Sequence, residues 1–205
     1  MIDQRLNIWN VKYFGPIALA LTSACSSSGP DPLNFATTQA ASDAIDGLYN
    51  DVQKSGFVDT TPSQLPTSGS VVYEGYLGVN TAESNLAPAD DFLYAVGQVA
   101  LTANFAGAGT IDGVADHFID GNDQQMTGAM TITTASIGSG GGFTAQVDGT
   151  ITNVDGFAYT YTVPMSNGVF VGPNANYVGA SGFGDFTNTD TDVVTPFNMG
   201  FVAQR

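Results

Sequence analysis

From residue 70 to the end of this 205-residue chain, apolar and polar residues alternate nearly one for one, the spacing of β-strands with one buried and one wet face. The clearest stretch sets Phe143, Ala145, Val147, Gly149 and Ile151 against Thr144, Gln146, Asp148, Thr150 and Thr152. Phe157, Tyr159, Tyr161 and Val163 then alternate with Ala158, Thr160 and Thr162, and Asn153-Val154-Asp155-Gly156 supplies the turn of a hairpin between the two. Residues 71–79, 99–105 and 126–132 follow the same rule, and 111–119, 175–186 and 198–204 follow it more loosely. Eight short antiparallel strands must hide their edges in a sandwich or a closed barrel. Closure at that strand number leaves an interior that side chains fill, and the aromatic and aliphatic residues above supply the filling. The expectation is an all-β chain: an eight-stranded antiparallel up-and-down β-barrel over 70–205, with a packed core and no wide channel.

Residues 1–24 read as an export signal. Arg5 and Lys12 give a positive start, residues 13–21 are apolar but too few to span a bilayer, and Leu21-Thr22-Ser23-Ala24 leads to Cys25. Cys25 is the sole cysteine, so a disulfide within the chain is excluded and lipidation of a new N-terminus is the expectation. Residues 25–69 then form a flexible tether, marked by Ser26, Ser27, Asp31-Pro32, Pro62 and Pro66. One short helix interrupts it: Ser42 is placed to cap a segment in which Ala44, Ile45, Leu48, Tyr49 and Val52 recur at helical spacing, with Gly56 as its stop. Packing on the barrel is the simpler use of that helix, an interaction handle the alternative.

Removing 1–24 leaves two basic and eighteen acidic residues, a formal charge of −16. Such a surface repels phosphate backbones, which excludes nucleic acid as a partner. Catalytic chemistry is sparse, and no catalytic residue or metal site is assigned. His117 is the only histidine; it lies on the isoleucine face of 111–119 and reads as a barrel-core or rim residue with one hydrogen bond. The more specific reading makes His117 an axial haem ligand, with a tyrosine such as Tyr94 or Tyr177 near a barrel mouth. Asp120-Gly121-Asn122-Asp123 and the acids of 185–192 offer hard oxygen ligands for calcium, although Asp and Asn also simply make turns. Only Glu74 and Glu83 are glutamates, which makes a carboxylate pair for glycoside hydrolysis improbable.

Gly168-Val169-Phe170-Val171-Gly172-Pro173-Asn174-Ala175, followed by Val178-Gly179-Ala180-Ser181-Gly182-Phe183, resembles the G-x-F-x-G-P-N-A-x-x-x-x-G-G-x-F signature of the transferrin-binding protein B β-barrel domain. Residues 99–105 with 109–113, and the terminal 199–205, are similar to other strands of that family. In physical terms Pro173 fixes φ, Gly172 permits a backbone closed to other residues, and Asn174 bonds back locally. Gly172, Pro173, Asn174 and Ala175 therefore form a structural turn and not a binding site. The resemblance implies a surface-exposed outer-membrane lipoprotein, anchored in the membrane by lipid, whose barrel loops take an unidentified protein or small ligand, in iron or haem capture among other uses. Members with two lobes pair a handle with each barrel, whereas this chain has length for one barrel and a reduced handle. The other readings are a haem or small-ligand carrier using the barrel mouth and a structural outer-membrane barrel, the last disfavoured by an end lacking a terminal aromatic.

Overall fold

The computed structural model describes residues 37–54, 56, 59–81, 94–187 and 194–205. The signal segment and Cys25 lie outside the described residues. A helix, α1 (Thr38–Lys54), precedes eight strands: β1 (Ser70–Thr81), β2 (Tyr94–Asn104), β3 (Thr110–Asp120), β4 (Thr127–Ile137), β5 (Phe143–Thr152), β6 (Ala158–Val171), β7 (Tyr177–Thr187) and β8 (Val194–Gln204). Each strand pairs antiparallel with the next, and β8 returns to β1, so the sheet closes into the expected eight-stranded barrel.

Alternation sends one set of side chains inward, where Tyr73, Leu77, Leu101, Phe118, Met130, Ile132, Tyr161 and Phe170 are almost fully buried. The outward set is wet. On β4 to β6 it presents Thr127, Thr131, Thr133, Thr144, Thr160 and Thr162 to solvent, and the hydroxyls of Thr150 and Thr160 meet across the strands at 2.8 Å. Thr and the β-branched residues suit this pleated, half-buried surface, which is why the strands form here. The β5–β6 turn closes on Asn153, whose Oδ1 accepts the amides of Asp155 and Phe157 while Gly156 takes φ +89°. Phe157, expected in the strand, instead ends the turn and is exposed.

The helix begins one turn before its expected cap. Thr37 Oγ1 accepts the amide of Ala40 at 3.1 Å, so Thr37 and not Ser42 satisfies the first free N–H groups. Ala41, Ile45, Leu48 and Val52 form its buried stripe. That stripe lies on the outside of the barrel, in one apolar cluster with outward-facing Tyr76, Val96 and Ile119, against which Tyr177 and Val202 also pack. Lys54, bonded to Asp51 at 2.8 Å, closes the helix on the side of Tyr177, which starts β7 and packs against the same apolar cluster. The helix therefore ends beside the barrel end where β7 begins.

That end is covered. Residues 59–69, expected as part of the flexible tether, run across it: Asp59 bridges Val171, Leu65 packs against the interior cluster, and the Gly69 carbonyl accepts the amide of Phe105 at 2.9 Å. The chain is fixed here because buried backbone groups need partners, and the ends of β2 and β6 offer them. The opposite end carries the β3–β4 and β5–β6 turns, and there β1 and β7 end and β2 and β8 begin; residues 82–93 and 188–193 lie outside the described residues.

Candidate functional site

The Gly172 to Ala175 turn sits at the covered end and joins segments far apart in sequence. Gly172 takes φ +81°, ψ 174°, which a side chain rarely tolerates, and Asn174 and the fully buried Ala175 follow at φ +58° and φ +57°. Left-handed backbone at alanine costs about 1–2 kcal/mol, so the neighbours must over-determine it. They do so through named bonds. Tyr73 OH donates to the Ala175 carbonyl at 2.8 Å, and Thr60 Oγ1 donates to the Gly172 carbonyl at 2.7 Å. The Thr60 amide donates to Phe170 O at 2.9 Å, while Arg205 reaches Asn176 through both its amide and Nε at 3.1 Å. The turn thus fastens the incoming chain, the barrel interior and the C-terminus to one another.

Burial pushes the Tyr73 phenol from its ordinary 10.0 up to about 12, against a smaller lowering by Arg205. The fold favours the neutral form, so this contribution is full below pH 10 and is lost as pH rises through about 12. Tyr73→Phe removes the hydroxyl and leaves the Ala175 carbonyl without that donor, at a cost of about 1–3 kcal/mol. Denaturant melts at neutral pH should register that loss, and the alkaline fall in stability should be shallower in the variant. Equal alkaline profiles would separate the Tyr73 phenol from that fall.

The interior itself is filled. Tyr161 packs edge-on to Phe197 with ring centroids 5.0 Å apart, and burial pushes its phenol up as well. Tyr73, Phe105, Phe143 and Phe170 cluster toward the covered end. These rings are among the buried side chains of the barrel interior.

His117 is displaced from its expected place. Opposite Gly97 the β2–β3 register shifts, Val96 pairing with Ile119 but Gln98 with Asp116, so β3 carries one extra residue. His117 is that residue, at φ +52°, and its side chain is 64% exposed on the outside with Nδ1 2.7 Å from Asp116 Oδ1. The bulge also inverts the alternation. Phe118 turns inward and lies where Gly97 would carry a Cβ, while Ile119 turns outward beneath α1. His117 is therefore no core residue, although it has the single hydrogen bond expected of it at the rim. Tyr177 is at the opposite end of the barrel, beside the helix, so the structure does not bring it together with His117. The side chain of Tyr94 lies outside the described residues.

Of the acidic groups, Asp120 uses its carboxylate to cap its own turn, accepting the amides of Asn122 and Gln124 at 2.9 Å, and Asp123 takes φ +62°. Among the described residues no three His, Cys, Asp or Glu side chains gather as a metal-ligand set. Most of the second acidic run, 188–193, lies outside them.

The distribution of charge is more informative than any one acid. Residues 55–204 contain fourteen acidic residues and neither Lys nor Arg. Lys54 and Arg205, the cations of the described residues, both sit at the covered end. Among the described residues, the barrel wall and its other end thus carry acidic side chains and neither Lys nor Arg. On that wall the most exposed large apolar residue described is Phe183 of β7, with 67% of its surface open, and Val154 and Phe157 are exposed on the β5–β6 turn. Sequence reasoning had Phe183 only as the last position of a motif. Its orientation was legible in the alternation, since Val178, Ala180 and Gly182 take the other face.

No protein-family model matches the chain, and no curated protein matches it either. Among solved structures it is similar to a double mutant of the vaccine antigen transferrin binding protein B from Haemophilus parasuis, at 19% identity and a TM-score of 0.48, over 71% of this chain and 27% of that one. A single mutant of the same antigen gives 17% identity and a TM-score of 0.45, over 71% of this chain and 28% of that one. The chain thus spans little more than a quarter of those proteins.

Proposed function

We propose that the chain is a lipid-anchored, surface-exposed outer-membrane protein whose barrel recognises a partner from the outside, through its wall and the loops of the end opposite residues 59–69, without catalysis. The observation that carries this reading is the state of the interior: aromatic and aliphatic side chains fill it, and residues 59–69 lie across one end. With the described inward side chains packed against one another, the exterior is the surface this reading uses for recognition. The wall also suits water better than lipid, since Thr residues, Glu74, Asp112 and Asp185 face outward on the described strands. The outward turn of His117 favours external recognition over haem held within the barrel. The lipobox-like run before Cys25 and the Gly-Pro-Asn-Ala order support anchoring and surface display.

Cys25→Ser separates the parts of this reading. In a Gram-negative host the natural chain should incorporate labelled palmitate, fractionate with outer membrane and be removed from intact cells by added protease. The variant should lose the label and leave the membrane fraction. A natural chain that takes no label, or that stays protected in intact cells, would sink the anchored, surface-exposed reading.

A further inference from the structure

Phe183 does not stand alone on the wall. Asp185 follows two residues along the same outward face of β7 and is likewise exposed. Across the β7–β8 ladder Asp185 faces Pro196, and Phe183 faces Asn198, so Pro196 is the diagonal neighbour of the ring. On the other side the β6–β7 ladder runs out at Met165 with Gly182. Pro164, one step further, has its carbonyl 2.6 Å from where Gly182 would carry a Cβ. Pro164 and Pro196 are both exposed. The ladders thus set one exposed aromatic ring and two exposed prolines on neighbouring strands of one face, with an exposed carboxylate two residues along and, among the described residues, no Lys or Arg on that face.

We infer that this face of β6, β7 and β8 is a docking surface for a cationic protein segment that presents arginine. A guanidinium is flat and delocalised, stacks on the open face of a phenyl ring, and reaches a carboxylate with its fork of N–H donors. Phe183 and Asp185 provide that ring and that carboxylate side by side. Charge complementarity selects the occupant: a second copy of this chain would bring the same uncompensated negative charge, and an anionic membrane surface would be repelled. Lysine meets the charge but stacks less well, so arginine is preferred. The inference rests on the outside-binding reading above and names the chemistry of its partner.

The test titrates the full chain with a peptide of alternating Arg and Gly, and with its Lys counterpart, following backbone amide shifts. The Arg peptide should move amides around Phe183 in β6 to β8, and its Kd should rise about three-fold or more in Phe183→Ser. Asp185→Asn should weaken it about two-fold, and added salt should weaken both peptides. Equal binding of the two peptides with Phe183→Ser unaffected would overturn the site, as would shifts confined to the end loops, an outcome that leaves outside binding intact. Binding of neutral phosphatidylcholine vesicles that depends on Phe183, with no peptide effect there, would overturn it in favour of a lipid contact. No peptide-induced shift even at low salt would also overturn it, whereas loss of the anchored, surface-exposed reading would show in the palmitate and protease experiment.

Discussion

Phe170→Ala should cost the fold about 3–5 kcal/mol, the range for deleting a phenyl ring from a well-packed core. Phe170 is almost fully buried at the end of β6, and its ring centroid lies 5.9 Å from Tyr73, 5.4 Å from Phe105 and 5.7 Å from Phe143. Tilted pairs of this kind add about 0.5–1.5 kcal/mol each beyond the area they bury. The site collapses poorly, because the four rings come from separate stretches of the chain and the backbone of Phe170 is held by the Thr60 amide. Thermal melts should fall by about 6–20 °C, given about 2–4 °C per kcal/mol for a chain of this size. Phe183→Ala, thirteen residues on but facing water, should change stability by no more than about 0.5 kcal/mol. A loss below about 1 kcal/mol for Phe170→Ala would mean that the ring cluster is not what holds the covered end.

Gly75→Val should do more damage still, by acting on closure itself. Gly75 lies in β1, opposite Ala203 of β8, and a Cβ there would run into the Val202 carbonyl and stand 2.5 Å from the Ala203 Cα. Both obstacles are backbone, so no side-chain rotation relieves them. Overpacking a tight core costs about 1–3 kcal/mol, and more where the backbone must move. Here the strands that must move are those that seal the barrel, and unsealing them exposes two edges. The expected outcome is loss of soluble, cooperatively unfolding protein, with rapid hydrogen exchange in β1 and β8 in whatever folds. Gly47→Ala is the counterpart: it sits in α1 with nothing within 4 Å, and the exchange should stabilise by about 0.5–1 kcal/mol. If Gly75→Val melted like the natural chain, close approach of β1 and β8 would not be needed for closure.

The strands were legible because each is written locally. A side chain points in or out according to its position in the pleat, so Tyr159, Tyr161 and Val163 declare a buried face whatever the rest of the molecule does. The turn at Asn153 to Gly156 and the Gly-Pro-Asn-Ala turn are likewise local, each set by residues that tolerate unusual backbone. The proposed docking face was less legible. An exposed Phe183 differs from a buried one only in which face is covered, and the core reading of His117 depended on an unbroken alternation that β3 does not keep.

Composition and period, then, determined an acidic chain of eight strands closing around an aromatic core, because those properties belong to short stretches of sequence and to the need to hide strand edges. Only the tertiary structure decided where alternation yields. Tyr76-Leu77, Ala95-Val96 and Phe118-Ile119 are neighbouring apolar pairs buried on both faces, the inner one by the barrel and the outer one by α1. The bulge at His117, the docking of the helix on the outside and the fixing of residues 59–69 all depend on partners distant in the chain, and a local period carries no information about them.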